Sequence, residues 1–421
     1  MTELTPTEAD VDRSRVIETT LDLLAFDTQN PPGETGEIVD YLDDQLTAAG
    51  LETARLHCTP DRPNLVAWFS GQREPDLVFQ GHVDTVPFDR EAWTVDPLGE
   101  RDGETIYGRG ATDMKGAVAA MVETARLYAA SEADPPVPLG FAFVSDEEVT
   151  GDDTGLAAMD LFDSQPAACV IGEQTGTVDQ PSVTVADKGA IWRQLAATGT
   201  AAHGSRPMLG ENALDRLYNT VEELRTELTD IAFDLDPALE EIIADSVGYY
   251  ASTMGEATAR RLFEQPTVNL GTLSGGEAIN SVPAAATAGV DIRLTAGVPP
   301  GPVVDRIRGL IDDQPGVEIT AVDHSQGTYE PVDAPLVAAT AEAASNVTGR
   351  QVFRRSATGG GDAKTLRNAG ISTVEFALGT DTAHAVDERT TVEALVETAA
   401  VYTRVPALLA ETLRGDQPDR V

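Results

Sequence analysis

Four short apolar segments, each followed by a polar loop, constrain the fold of this chain more than any other feature. They lie at residues 76–80, 139–144, 168–171 and 373–378. Helical periodicity occupies the intervals between them, as at 115–130, where Val118, Val122 and Ala125 recur at helical spacing. Short apolar strands that alternate with helices are typical of a mostly parallel sheet with helices on both faces. The sequence therefore predicts an α/β domain.

The middle of the chain has a different pattern. Three segments alternate apolar and polar residues, as half-exposed strands do, at 190–198, 287–294 and 317–322. Helical patterns lie at 211–228 and 302–311, and residues 230–265 are acidic and helical in pattern. We therefore predict a smaller α+β domain, residues 187–326, inserted into an α/β domain formed by residues 1–186 and 327–421.

The charge of the chain excludes some partners. Asp and Glu number 70 against 29 Lys and Arg, which gives a formal net charge of -41. Because nucleic acids and anionic membranes bind basic patches, we expect neither as a partner. The hydrophobic fraction of 41% is too high for a disordered acidic chain. A folded protein with so acidic a surface indicates a salt-loving source, where screening relieves the self-repulsion.

Cysteine content and the first residues bear on the compartment. The two cysteines, Cys58 and Cys169, provide no disulfide framework and no CxxC pair. The opening residues, MTELTPTEAD, are acidic and lack the apolar segment of a signal peptide. No stretch of the sequence has the length and apolar character of a membrane span. We therefore expect a cytoplasmic protein.

Side chains that can bind metal follow each of the four apolar segments. They are, in chain order, His82 and Asp84; Asp146, Glu147 and Glu148; Glu173; and Asp381 and His384. Asp113 precedes the helix predicted at 115–130. Because the carboxyl ends of parallel strands meet at one edge of a sheet, we expect these groups in one crevice. Acids alone carry little information in so acidic a chain, but two of its only five histidines fall in these loops.

The motifs at these positions, taken in order, resemble one enzyme family. "GHVDTVP", "GRGATDMKG", "SDEEVTG", "IGEQTG" and "AHAVDE" are similar to the motifs of zinc-dependent amidohydrolases. That family includes acetylornithine deacetylase, succinyl-diaminopimelate desuccinylase, aminoacylase and glutamate carboxypeptidase. The resemblance covers nearly the whole chain, since "GTAAHGSRPMLGENA" and "GGEAINSVP" in the predicted insertion match as well. It implies a catalytic di-metal domain and an inserted dimerisation or lid domain.

The resemblance implies a centre of two divalent metal ions. One ion takes His82 and Glu173, the other takes Glu148 and His384, and Asp113 bridges them. Nitrogen and oxygen donors with room for water suit catalytic zinc, and Co²⁺ or Mn²⁺ could replace it. Histidine ligation disfavours calcium and magnesium.

Two further residues receive catalytic roles from the resemblance. Glu147 would be the general base that takes a proton from a water bridging the metals and gives it to the leaving amine. Asp84 would hold the His82 imidazole from behind and so fix its tautomer. An EF-hand interpretation of the loop starting at Asp146 fails, because its twelfth position, Ala157, lacks the required carboxylate.

The inserted domain contributes further candidates. By resemblance, His203 reaches the active site of a partner subunit in a homodimer and stabilises the developing oxyanion; the alternative is a histidine in a surface turn. Asn280 and Arg293 match positions that bind a substrate carboxylate in some relatives. Arg suits that role because it donates bidentately, but it could instead pair with Asp291 on its own strand.

The sequence therefore predicts a metal-dependent amidohydrolase that cleaves the amide bond of a small N-acyl amino acid, as acetylornithine deacetylase or succinyl-diaminopimelate desuccinylase does. A carboxypeptidase or dipeptidase of the same family is the alternative within this chemistry. A non-catalytic metal- or ligand-binding relative is the alternative of another class, and the retained Glu147 disfavours it.

Overall fold

The structure, a computed structural model, describes residues 5–415 except 60, 150–153, 230, 232 and 234. Its contacts divide the chain into two compact units. The larger unit comprises Met1–Val185, Glu330–Arg355 and Gly361–Val421, and the smaller unit comprises Ala186–Tyr329 and Ser356–Gly360. The predicted insertion, 187–326, falls inside the first segment of the smaller unit. The short second segment was not predicted.

The described residues form eleven α-helices and fifteen strands. The helices are α1 (Arg13–Leu24), α2 (Gly36–Ala49), α3 (Lys115–Ala130), α4 (Thr154–Met159), α5 (Ala213–Thr229), α6 (Pro237–Met254), α7 (Glu256–Glu264), α8 (Pro300–Asp312), α9 (Pro335–Thr348), α10 (Asp362–Asn368) and α11 (Val392–Gly415). The strands are β1 (Glu52–Thr59), β2 (Arg62–Trp68), β3 (Leu77–His82), β4 (Glu100–Asp102), β5 (Thr105–Tyr107), β6 (Leu139–Val144), β7 (Ala168–Ile171), β8 (Ser182–Ala186), β9 (Gly189–Thr198), β10 (Thr267–Gly275), β11 (Ala285–Leu294), β12 (Val317–Ser325), β13 (Phe353–Ser356), β14 (Ser372–Glu375) and β15 (Arg389–Thr391).

An eight-stranded sheet forms the centre of the larger unit, in the order β1-β2-β6-β3-β7-β14-β8-β13. The four predicted strands, β6, β3, β7 and β14, are its centre and pair in parallel. The flanking pairs β1-β2, β2-β6 and β14-β8 are antiparallel. The α/β class is therefore confirmed, with parallel pairing confined to the central strands, whose residues in β3, β6 and β7 are all buried.

Helices cover both faces of this sheet, as predicted. On one face, α4 and α10 pack on the alternate residues of the central strands, such as Val78 and Ala142. On the other face, Phe79 and Phe141 stack with ring centroids 5.9 Å apart, and Tyr402 of α11 lies 4.9 Å from Phe79. The buried helix α3 begins and ends at the predicted residues. Its burial explains why its polar residues are few.

The smaller unit contains a four-stranded antiparallel sheet in the order β10-β11-β9-β12. Residues of α5 and α8 pack on one face with alternate residues of β9, such as Ile191 and Leu195, while Trp192 on the other face is exposed. The predicted alternation is thus observed, and β10 is a strand that the pattern did not reveal. The helical segment at 230–265 is α6 and α7, which pack on each other.

None of the helices in the described part of the chain combines the length and the apolar composition that crossing a membrane requires.

Candidate metal centre

The polar loops at one edge of the larger sheet begin where its central strands end. His82 is the last residue of β3, Glu148 follows β6, and Glu173 follows β7. The β3 and β6 ends stay paired, since the Val83 N–H donates to the Val144 carbonyl at 2.8 Å. The strand order therefore places three candidate ligands side by side, as the parallel arrangement predicts.

Two glycines permit the close approach of α3 to these strand ends. A Cβ added at Gly81 would lie 2.8 Å from a methyl carbon of Val118, and one at Gly172 would lie 2.6 Å from the methyl carbon of Met114. Both distances are too short for real contacts. The glycines that precede His82 and Glu173 are thus required by packing, and they bring α3 and the preceding Asp113 against the strand ends.

The first group of candidate ligands consists of His82, Asp113 and Glu173. The Nε2 atom of His82 is 3.0 Å from Oδ1 of Asp113 and 3.5 Å from Oε1 of Glu173. The second group consists of Asp113, Glu148 and His384. The Nε2 atom of His384 is 3.1 Å from Oδ2 of Asp113 and 3.3 Å from Oε2 of Glu148. Asp113 thus presents one carboxylate oxygen to each group.

The spacing of these donor atoms fits a metal ion. Donors bound at 2.0–2.1 Å to one tetrahedral zinc ion are about 3.3 Å apart. The four nitrogen–oxygen distances, 3.0–3.5 Å, bracket that value. One imidazole and two carboxylates in each group are ligand types that catalytic zinc sites use. The larger unit therefore contains candidate ligands for two metal ions that share Asp113.

The pKa values of the group members show that the cluster attracts positive charge. Hydrogen bonds to Asp113 and Glu148 raise the pKa of His384 to about 10. Burial lowers the pKa of His82, but the contacts with Asp113 and Asp84 outweigh burial and raise it overall. Burial and the neighbouring Asp113 raise the pKa of Glu173. A proton or a metal cation at these positions relieves the repulsion between the carboxylates.

Glu147 lies outside both groups but beside them. Burial, reinforced by the charges of Asp362, Glu148 and Asp113, raises the pKa of its carboxyl to about 7, although His82 opposes the shift. A Cβ on Gly361 would lie 3.3 Å from its Oε1 atom, so a side chain there would crowd the carboxylate. A half-buried carboxyl group whose pKa is raised towards neutrality is a candidate for acid–base chemistry.

Asp84 is fully buried and binds the loop that follows β6. Its carboxylate accepts hydrogen bonds from the Glu147 and Glu148 N–H groups at 3.2 and 3.1 Å. The Nδ1 atom of His82 lies 3.0 Å from the Asp84 backbone carbonyl and 3.5 Å from its carboxylate. The His82 ring therefore contacts the main chain of Asp84 more closely than its side chain, and the carboxylate fixes the loop.

The three consecutive acids of "SDEE" divide between two environments. Asp146 turns away from the ligand groups and receives hydrogen bonds from Arg62 at 2.9 Å and from Asn30 at 2.6 Å. Glu147 and Glu148 remain on the side of the candidate ligands. The repulsion expected between adjacent carboxylates is thus reduced by an arginine and an amide that the sequence analysis did not single out.

Sequence reasoning also missed a buried ion pair behind the ligands, Arg109 with Glu388. Both residues lie inside motifs that the resemblance quoted, "GRGATDMKG" and "AHAVDE". Their presence next to two predicted ligands was the available signal. Asp381, by contrast, belongs to neither group of candidate ligands.

Two of the candidates in the smaller unit lie side by side. The N–H of Gly204 donates to the Asn280 carbonyl at 2.6 Å, and His203 forms an isolated bridge with Ser281. The side chains of His203 and Asn280 lie in exposed loops. The Nδ1 atom of His203 lies 2.8 Å from the Ser205 hydroxyl and accepts a hydrogen bond from the Ser205 N–H at 3.2 Å.

Arg293 lies at the other end of the same sheet. The loops of His203 and Asn280 adjoin the end where Ala285 pairs with Thr198, whereas Arg293 pairs with Ala190. Eight residues of extended strand separate the two ends by about 26 Å. Arg293 contacts Asp291 at 2.9 Å and lies over the Trp192 ring at 5.5 Å. Arg293 thus lies at the strand end opposite to the one that the loops of His203 and Asn280 adjoin.

Comparison with known proteins adds evidence from the whole chain. The profile of peptidase family M20/M25/M40 matches residues 78–407. A succinyl-diaminopimelate desuccinylase of Dinoroseobacter shibae is 27% identical over 397 residues, which cover 92% of this chain and 97% of that protein. A probable carboxypeptidase of Aspergillus terreus is 34% identical over 264 residues, 61% of this chain and 53% of that protein.

The fold is also found among solved structures. An M20 family metallo-carboxypeptidase from Sulfolobus solfataricus superposes with a TM-score of 0.73 at 18% identity, covering 93% of this chain and 99% of that one. The family profile spans both units, and its match includes all five candidate ligands. The chain therefore belongs to peptidase family M20/M25/M40, and it is a hydrolase that acts on amide or peptide bonds.

Proposed function

We propose that this chain is a two-metal amidohydrolase that cleaves the amide bond of a small N-acyl amino acid, as a desuccinylase or deacetylase does. The observation that carries the proposal is the pair of ligand groups joined by Asp113, with one carboxylate oxygen facing each histidine. The long match to a succinyl-diaminopimelate desuccinylase supports the substrate class.

In this proposal His82 and Glu173 hold one ion, Glu148 and His384 hold the other, and Asp113 binds both. Zinc is the proposed metal, because each group combines a histidine nitrogen with carboxylate oxygens, and Co²⁺ or Mn²⁺ would be accepted as substitutes. When bound, the ions would polarise the scissile carbonyl group and lower the pKa of a water molecule.

Glu147 is the proposed general base. Its carboxylate removes a proton from the attacking water and donates it to the nitrogen of the leaving amine, so one residue serves both half-reactions. The hydrogen bonds from the Glu147 and Glu148 N–H groups to the Asp84 carboxylate hold the backbone of this loop in place. Asp84 acts in this proposal as a positioning residue, through the loop and through its contact with His82.

His203 and Asn280 are proposed to act on a partner chain. Their exposed loops offer a hydrogen-bond donor and an amide. Neither residue belongs to one of the two groups of candidate metal ligands. We propose a homodimer formed through the smaller unit, in which His203 stabilises the oxyanion and Asn280 binds the substrate in the partner's site. Arg293 would then contact the substrate only at a different subsite.

A carboxypeptidase or dipeptidase is the second candidate. It is favoured by the similarity to a probable carboxypeptidase and to the structure of a metallo-carboxypeptidase. The chemistry is the same, and the difference lies in whether the acyl group is itself an amino acid. We further propose that the protein works in the cytoplasm at high salt, since its net charge of -41 requires screening.

A substrate panel tests this proposal. The protein is assayed in molar salt with N-acetyl, N-succinyl and dipeptide substrates, before and after treatment with a chelator. We expect turnover of N-acyl amino acids, loss of turnover on metal removal, and recovery with zinc or cobalt but not calcium. Preference for dipeptides favours the second candidate, whereas two bound metals without any turnover would indicate a non-catalytic relative.

A further inference from the structure

A buried ion pair links two segments that are far apart in the sequence and that each carry a candidate metal ligand. Arg109 and Glu388 form it, and their side chains are 4% and 0% exposed. Arg109 lies four residues before Asp113, and Glu388 lies four residues after His384. Neither side chain belongs to a ligand group. The pair therefore lies behind the candidate metal centre.

Glu388 organises the segment that carries Asp113. Its Oε1 atom accepts three backbone hydrogen bonds, from the N–H groups of Gly110, Thr112 and Asp113, at 3.1, 3.0 and 3.1 Å. Three donors that converge on one oxygen impose a tight curve on the segment, and Gly110 has a left-handed φ of 94°. The backbone nitrogen of the shared ligand is thus held directly by this carboxylate.

Arg109 organises the segment that carries His384. Its Nη1 atom donates to Oε2 of Glu388, and its Nη2 atom donates to the carbonyl oxygens of His384 and Ala385 at 3.3 and 3.2 Å. His384 has a φ of 62°, which is unusual for a residue other than glycine. The planar guanidinium thus links Glu388 to the main chain at His384. Among the candidate ligands, His384 is the one whose backbone has this uncommon conformation.

We propose that the Arg109–Glu388 pair is a positioning device for the second metal ion, the one that Asp113, Glu148 and His384 would hold. It sets the orientation of Asp113 and of His384 at once, although 271 residues separate them in the chain. This inference rests on the proposed function, because it presupposes that the two groups bind metal. A structural role alone would require the pair for stability but not for metal affinity.

The test compares Glu388→Gln with a matched control, Glu123→Gln. Glu123 is also 0% exposed, pairs with an arginine, Arg15, and accepts a backbone N–H, that of Asp12, at 3.0 Å. It lies on α3 and in neither ligand group. Both substitutions remove one buried negative charge and keep the length of the side chain. Arg109→Lys is a second variant, which keeps the charge but cannot form the planar set of contacts.

The first measurement is metal binding by chelator-treated protein, titrated with Zn²⁺ or Co²⁺. We expect two equivalents in the wild type and in Glu123→Gln. In Glu388→Gln we expect the affinity for the second equivalent to fall by roughly 10- to 100-fold, the usual effect of removing a residue that orients ligands. If Glu388→Gln binds both equivalents as the wild type does, the positioning role is wrong. If the wild type itself binds fewer than two, the proposed function fails, and this inference fails with it.

The second measurement needs no metal. Hydrogen–deuterium exchange of the chelator-treated protein is followed in two peptides. One contains residues 110–113, and the other contains residues 384–385. We expect faster exchange at 110–113 in Glu388→Gln and in Arg109→Lys, and no change there in Glu123→Gln. Unchanged exchange at 110–113 in both Glu388→Gln and Arg109→Lys would overturn the inference, whatever metals the wild type binds.

Discussion

The candidate residues of the larger unit and those of the smaller unit differ in how completely they are held. In the larger unit His82 and Asp84 are buried, and each predicted ligand, including the half-exposed His384, contacts at least one other. In the smaller unit His203 and Asn280 lie in exposed loops, and their contacts among the described residues include those with Ser205 and with each other's loop. A ligand set that one unit assembles by itself can bind metal without help. The loops of His203 and Asn280 have no such ligand set beside them among the described residues, which is why we propose that they act on a partner's site.

The largest effect should come from a residue of the larger unit, where the candidate ligands already lie together. We expect Glu147→Gln to lower kcat by roughly 10²- to 10⁴-fold, the usual contribution of a general base. Two equivalents of metal should remain, since Glu147 belongs to neither ligand group. Elemental analysis and steady-state kinetics check both statements. Asp381→Asn is the control, because Asp381 is an acid beyond a central strand that neither group includes. Near-normal turnover in Glu147→Gln would remove it from the role.

His203→Ala tests the candidate residues of the smaller unit. The loss of one oxyanion donor should lower kcat by about 10²- to 10³-fold without loss of metal. If His203 acts across a dimer, mixing His203→Ala with Glu147→Gln chains after dissociation should restore about a quarter of wild-type activity, because half of the dimers then contain one intact site. No recovery on mixing, with dimers confirmed by light scattering, would place His203 in its own chain's site or outside the chemistry.

Metal binding should strengthen as pH rises, because His384 must lose a proton before it can bind a metal ion. Its pKa is raised to about 10 by Asp113 and Glu148, so the imidazole carries a proton at neutral pH that a metal ion must displace. The apparent affinity for the ion should therefore rise with pH below 10, by about tenfold per pH unit for one proton released. Calorimetry in buffers of different ionisation enthalpy measures the protons released. An affinity that is constant between pH 6 and 8 would contradict this.

Among the variants, the mildest loss of activity is expected for Asn280→Ala. Loss of one hydrogen bond to a charged group costs about 1.5–3 kcal/mol, which corresponds to a KM increase of about 10- to 150-fold with kcat little changed. Because Asn280 lies beside His203, it should complement Glu147→Gln on mixing but not His203→Ala. Complementation between Asn280→Ala and His203→Ala would show that the two residues serve different sites.

Local patterns in the sequence predicted the central elements of the fold. The helix α3 begins and ends at the predicted residues. So do the central strands β6 and β7, because a buried parallel strand must be apolar on both faces. Strand β10 escaped prediction, since most of its residues are exposed and its apolar periodicity is weak. The antiparallel flanks of the larger sheet were also missed, because strand direction depends on long-range pairing that composition does not encode.

The sequence by itself determined the fold class, the family and a short set of candidate ligands, because strand ends and ordered motifs are local features of the chain. Only the tertiary structure decided which oxygen of Asp113 faces which histidine, that Asp146 turns to Arg62, and that Arg109 and Glu388 meet behind the ligands. It also decided that Arg293 lies at the strand end opposite to the one that the Asn280 loop adjoins. These facts depend on side-chain direction and on contacts between distant segments, and a one-dimensional pattern specifies neither.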